Sequence, residues 1–177
     1  AGGWDKRDAF LAKVNEKLAA FPSRKAYYPG ARQRYQAFLD QYPNAKALSA
    51  DSEGVVPWTV IPNVPAKDGE YALTNEAFCG VLAQVDIDAT TADEFLAKAV
   101  PLCNDTIWGT LSCMMLVHGK TRKQYRAQVD QAITDLRYGG IGVNVWAGVV
   151  YGLVVTTWGA HPGHTLEDIG SGIGVVH

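Results

Sequence analysis

Five groups of residues in this chain are of types that do chemistry. In Thr74-Asn75-Glu76-Ala77-Phe78-Cys79-Gly80-Val81-Leu82 a carboxylate stands two residues before an aromatic ring, at the start of an apolar run that continues to Ile87. Taken alone, a Glu in that position reads as a solvated residue ahead of a buried strand. Cys79, Cys103 and Cys113 could attack a carbonyl only as thiolates, which need a helix N-terminus, a nearby cation or an adjacent base. None has such a neighbour in sequence, so all three read as core thiols. His161-Pro162-Gly163-His164 offers two imidazoles, but Pro-Gly makes a turn and no cysteine or carboxylate cluster completes a four-ligand set, so no metal site is expected. His118 closes an apolar strand just before Gly119 and reads as a satisfied histidine rather than a catalytic one. The glycines of Gly170-Ser171-Gly172-Ile173-Gly174 resemble a phosphate loop in composition only. No strand leads into them and no helix follows, which leaves a flexible turn.

The elements that would position these residues follow from periodicity. Asp5 can cap a first helix with Phe10, Leu11, Val14, Leu18 and Phe21 on one buried face, ended by Pro22. A second helix after Tyr27-Tyr28-Pro29-Gly30 carries Tyr35, Phe38, Leu39 and Tyr42, and stops before Pro43. Val55 to Ile61 reads as a strand near a sheet edge because Pro57 interrupts it. Cys79 to Ile87 reads as a strand buried on both faces. Thr91-Ala92-Asp93-Glu94 is a capping box, and Pro101 is expected to kink or end the helix that it starts. A strand over Thr110–Val117, a helix capped by Thr121 and stopped by Gly139-Gly140, and a strand over Ile141–Trp146 complete the pattern. Strand, helix, strand, helix, strand with short connections predicts an α/β fold, a parallel-strand sheet with flanking helices. Ligands of such sheets gather at the carboxyl ends of strands, whereas Glu76 and Phe78 lie at an amino end. They therefore belong either to plain surface or to a groove completed by a second domain.

With 177 residues, one domain over 1–177 is expected: a helical pair over 1–49, an irregular stretch over 50–75, and strand-helix repeats with C-terminal loops over 76–177. A net charge of −2 supplies no pull toward nucleic acid or anionic lipid. Three cysteines, odd in number and without C-x-x-C spacing, fit a reduced cytoplasmic protein rather than a disulfide scaffold. Ala1-Gly2-Gly3-Trp4-Asp5 has neither an initiator Met nor the regions of a signal peptide, which points to a chain cut from something longer. From Gly139 to Leu166 there is no Asp, Glu, Lys or Arg, yet recurrent Gly with Val, Thr, Trp and Tyr favours strands and turns over a membrane-spanning helix.

Several motifs also fall in a familiar order. Glu76-Ala77-Phe78-Cys79-Gly80-Val81-Leu82 resembles the E-x-F-G-P-V-L of the aldehyde dehydrogenase superfamily, with Cys79-Gly80 in place of Gly-Pro. Asn104-Asp105-Thr106-Ile107-Trp108-Gly109-Thr110-Leu111 is similar to its N-x-x-x-Y-G-L, and Gly140-Ile141-Gly142-Val143-Asn144 to its G-x-V-x-N. Trp58-Thr59-Val60 lies near the place of F-x-P-T-V, so the resemblance covers roughly residues 54 to 174. It implies the C-terminal part of a catalytic domain in which Glu76 accepts hydrogen bonds from the nicotinamide ribose and Phe78 packs beside the nicotinamide. The cofactor, NAD or NADP, would be held mainly by a domain absent from this chain. The nucleophilic Cys and the general-base Glu would precede the chain, leaving no catalytic residue within it and no activity for the fragment alone. The family's P-F-G-G falls on Thr157-Trp158-Gly159-Ala160 and would place Trp158 near the aldehyde entrance, although a core also accounts for a large aromatic there. The implied partners are a small-molecule aldehyde, the rest of the parent enzyme and, in the full-length protein, further copies of itself. The competing reading is a free-standing, non-catalytic α/β association module.

Overall fold

The computed structural model describes residues 1–155, 157–163, 165–167 and 173–175, with backbone alone at 157, 158 and 173–175. It forms two compact units, Ala1–Thr91 and Ala92–His177.

In the first unit, helix α1 (Arg7–Ala20) starts after Lys6 and has no side-chain cap, so Asp5 does not take the capping role expected of it. No residue of α1 is buried, and Phe10 and Phe21 are about half exposed. The expected buried face is thus covered only in part: this unit's strands are three residues or fewer, about 10 Å, too short to cover a helix of about 21 Å. The base of α1 is fixed by Arg7, whose guanidinium clasps Asp86, and by Gly2 and Gly3, whose N–H groups donate to Ile87 and Ala89. Helix α2 (Ala31–Gln41) follows its predicted pattern. Ala31 and Tyr35 form a core cluster with Val56, against which Leu39, Cys79 and Val81 pack. The Tyr35 hydroxyl lies 2.9 Å from Thr59 Oγ1 inside this core.

Strands β1 (Lys46–Ala47), β2 (Thr59–Ile61) and β3 (Val81–Ala83) form a sheet in the order β1-β2-β3, with β1 antiparallel and β3 parallel to β2. Two expectations are corrected here. The Val55–Ile61 segment supplies the central strand, fully buried, and not an edge; Pro57 lies ahead of the ladder, where its missing N–H breaks no pairing. The Cys79–Ile87 run yields only three strand residues at the sheet edge, and Leu82 is 48% exposed rather than buried on both faces. Between β2 and β3 lies a single helical turn, α3 (Tyr71–Thr74).

In the second unit, α4 (Ala92–Pro101) ends as an α-helix at Pro101, as expected. The chain continues directly as a π-helical turn, Leu102–Thr106, closed by Ile107 N donating to Leu102 O. Strands β4 (Ser112–Met115) and β5 (Gly140–Val143) pair in parallel from Ser112↔Gly140 to Met115↔Val143. They are joined by α5 (Gly119–Gln124) and α6 (Arg126–Asp135), the strand-helix-strand crossover that the sequence predicts. The crossover is two helices and not one. His118 Nδ1 accepts from Lys120 N at 3.2 Å and caps the first of them, so His118, and not Thr121, is the starting residue. That contact also gives His118 the satisfied role expected of it. The parallel partner of β3 is β2, so the three predicted parallel strands do not form one ladder. Helix α7 (Val149–Gly152) and the antiparallel pair β6 (Thr157–Gly159) and β7 (Ile173–Val175) complete the unit. Among the described residues no helix is long and apolar enough to cross a membrane.

Asn144 continues the β4–β5 ladder with its side chain: Oδ1 accepts from Val117 N at 2.8 Å and Nδ2 donates to Val117 O at 2.9 Å. Its φ of 56° is one that Asn adopts more readily than Ala. Asn144→Ala is expected to cost about 2 kcal/mol through two lost hydrogen bonds and the left-handed backbone. Urea unfolding monitored by circular dichroism would show it, and an unchanged midpoint would refute the role.

Candidate functional site

The loop of residues 75–80, between α3 and β3, carries Glu76 and Phe78 and is tied down at both ends. At its start, Asn75 Nδ2 donates to Tyr71 O at 3.1 Å. At its end, Gly80 O accepts from Thr59 N at 2.8 Å. A Cβ on Gly80 would meet the Trp58 ring at 2.4 Å, so only glycine lets the backbone approach that indole. This is the position where the family motif has proline.

Glu76 is exposed, and among the described residues nothing hydrogen-bonds to it or pairs with it. Phe78 is 52% exposed and holds a φ of 45°, a left-handed conformation that a non-glycine residue adopts only under constraint. Its constraint is Arg34 on α2. Arg34 Nε donates to Ala77 O at 2.9 Å, and the guanidinium carbon lies 5.7 Å from the Phe78 ring centroid. Tyr28 meets the same ring edge-on at 5.2 Å. Upstream, the buried Tyr42 hydroxyl donates to Glu70, which leads into α3. Arg34 and Tyr42 escaped the sequence reading: the first looked like one of several cations on an exposed helix face, the second like one more apolar stripe residue. Only their long-range partners, 43 and 28 residues away, reveal them.

Of the three thiols Cys79 lies in this loop, packed against the α2 core cluster, and Cys103 and Cys113 lie in the second unit; all are quiescent. Burial raises Cys79 above the ordinary thiol range despite the opposing charge of Arg34. Burial likewise pushes Cys103 up to about 11, and Cys113 upward. Each stays protonated at neutral pH and is a poor nucleophile. Among the described residues no group of three or more His, Cys, Asp and Glu could hold a metal. Trp158 has its backbone in β6, and its side chain lies outside the described residues, as do His164 and residues 170–172 of the glycine-rich segment.

Glu76 and Phe78 together offer an acceptor and an exposed ring on one loop. An unpaired carboxylate is an acceptor for a vicinal diol, and an exposed, backbone-constrained ring beside it can limit where a planar group lies.

No family model and no curated protein sequence matches the chain. Solved structures do share its fold. Proline utilization A from Bdellovibrio bacteriovorus, inactivated by N-propargylglycine, matches with a TM-score of 0.62 at 19% identity over 81% of this chain and 15% of that one. Salicylaldehyde dehydrogenase from Pseudomonas putida G7, complexed with salicylaldehyde, matches at 0.60 and 18% over 88% and 32%. An NADP dependent enzyme of E. coli matches at 0.60 and 16% over 89% and 33%. The chain thus shares the α/β fold of part of each of these longer chains. More particularly, it is the fold of aldehyde dehydrogenase structures, in agreement with the motif resemblance. The chain spans a third or less of the length of the first two structures named.

Proposed function

We propose that this chain is the C-terminal part of the catalytic domain of an NAD(P)-dependent aldehyde dehydrogenase, which oxidises an aldehyde to a carboxylic acid in the cytoplasm. The observation that carries this reading is an exposed Glu76, without a partner among the described residues, two residues from a constrained, half-exposed Phe78, on a fold shared with such enzymes. Bound NAD or NADP would accept hydride. Glu76 would hold the nicotinamide ribose by accepting from its hydroxyls, and Phe78 would limit the swing of the ring. Trp158 is assigned to the aldehyde entrance on the motif alone. The nucleophilic Cys and general-base Glu would be supplied by the rest of the parent enzyme, a division that the motif resemblance implies and that fits three thiols raised by burial here. The assembled parent is proposed to be a homo-oligomer.

The 177-residue chain is expected to show no aldehyde-dependent reduction of NAD or NADP, and measurable turnover would refute this division of labour. In the full-length parent, Glu76→Gln should weaken cofactor binding by about 1 to 3 kcal/mol, read as a higher KM for the cofactor. An unchanged KM and rate would remove Glu76 from the site.

A second reading, a non-catalytic association module, draws on the exposed apolar side chains of the C-terminal unit, among them Leu116, Trp146 and Val155, at 62%, 73% and 86% exposure. A reading frame that begins immediately before Ala1 would favour it. One that encodes an upstream nucleotide-binding domain and a nucleophilic Cys would dismiss it.

A further inference from the structure

Two rings next to the cofactor loop are unclaimed by that function. Tyr27 is 88% and Tyr28 51% exposed, and they meet edge-on at 5.1 Å; Tyr28 in turn meets Phe78 at 5.2 Å with the planes 66° apart. Rings this exposed gain little from the core, and Phe78 gives up an ordinary backbone conformation to stand among them. One side chain joins the two strands of chain that carry Tyr28 and Phe78. Arg34 Nη1 donates to Pro29 O at 3.0 Å, directly after Tyr28, while Nε donates to Ala77 O, directly before Phe78. The third guanidinium nitrogen, Nη2, is enclosed without a hydrogen-bond partner. A lysine cannot reproduce this clasp, since only a planar fork reaches two carbonyls in fixed directions.

We propose that Tyr28 and Phe78 form one wall for a planar aromatic ring, with Tyr28 a second binding residue for the nicotinamide and Arg34 the positioning residue that sets the two rings in register. The proposal rests on the assignment of Glu76 and Phe78 to the nicotinamide riboside. It divides the labour on the ligand: Glu76 serves the sugar, the two rings serve the base, and Arg34 touches neither. Edge-on aromatic pairs add modest attraction beyond simple burial, so the wall tunes ring placement more than overall affinity.

The test uses the full-length parent enzyme and nicotinamide mononucleotide at millimolar concentration, with saturation-transfer NMR resolving nicotinamide protons from ribose protons. Tyr28→Ala is expected to lower transfer to the nicotinamide protons roughly threefold with a smaller change at the ribose. Glu76→Gln should do the reverse. Arg34→Gln and Arg34→Lys should both mimic Tyr28→Ala and speed amide exchange at Phe78 and Cys79 about tenfold, with protection of α2 retained. If Glu76→Gln loses ribose transfer while Tyr28→Ala and Tyr28→Leu behave like the parent, the wall is refuted and the cofactor assignment stands. If the parent chain shows no transfer at all, both fall. Unchanged exchange at Phe78 in the Arg34 variants refutes the positioning role.

Discussion

Gly139→Ala is expected to cost about 3 kcal/mol or more and to unfold most of the C-terminal unit's sheet at moderate urea concentrations. A Cβ added at Gly139 would sit 1.6 Å from the carbonyl oxygen of Gly159 and 2.7 Å from its carbon. Both atoms are backbone, so no rotamer can relieve the overlap, and the two segments must separate. Neither segment is free to do so. Gly139 N donates to Thr110 O at 2.8 Å and Gly140 N to Leu111 O at 3.1 Å, at the start of the β4–β5 pairing. On the other side, Ala160 is buried, and His161 N donates to Thr110 Oγ1 at 3.3 Å. Gly119→Ala is the control, because a Cβ there meets nothing within 4 Å and the residue opens a helix; it should be neutral or slightly stabilising. Equal urea midpoints for the two variants would show that β5 and β6 do not depend on this approach.

Gly139 illustrates what the sequence made legible and what it hid. Gly139-Gly140 reads as a helix stop, and α6 does end before it, but the close approach of Gly159 is a tertiary fact that periodicity cannot carry. Helix α2, the crossover from β4 through α5 and α6 to β5, and the parallel sense of that pair were readable because their apolar spacing is regular and their turns are marked by Pro and Gly. The expected strand over Cys79–Ile87 was overextended for the opposite reason: apolar continuity fixes neither pairing nor burial, and only Val81–Ala83 finds a ladder partner. The α1 stripe shows the same limit, since Phe10 and Phe21 have helical spacing without a surface to cover them. At the candidate site, the motif exposes Glu76 and Phe78 but not what holds them. The constraint on Phe78 comes from Arg34, and a contact 43 residues away leaves no local signature. His118 lay between the two cases. Its place at a strand end was readable, and its capping bond required coordinates.

The second large effect is expected at Tyr42, which connects α2 to the segment carrying Glu76. Its hydroxyl donates to Glu70 Oε1 and accepts from Ala72 N at 2.8 Å, and Glu70, only 9% exposed, has Lys67 Nζ at 3.5 Å as its other partner. Tyr42→Phe keeps the ring and removes both bonds. It leaves a nearly buried carboxylate short of a donor and the Ala72 amide short of an acceptor, a loss of about 3 kcal/mol. Tyr42→Phe combined with Glu70→Leu should recover part of that, because the unsatisfied carboxylate disappears with its donor. A double variant as unstable as the sum of the single ones would show that the two side chains do not act together. The pH dependence supplies an independent check. Burial, followed by the bond to Glu70, raises the Tyr42 phenol from 10.0 to about 12. A raised phenol favours the protonated fold, so this contribution is complete below about pH 10 and is lost as pH climbs toward 12. Tyr138, Cys103 and Cys113 are raised by burial as well and weaken parent and variant alike at high pH. The stability gap between parent and Tyr42→Phe should therefore narrow across that window, while a constant gap would assign the loss to packing. Since Glu70 leads into α3 and α3 runs directly into Asn75 and Glu76, faster amide exchange in Tyr42→Phe should reach the 75–80 loop and leave the β4–β5 pair unaffected.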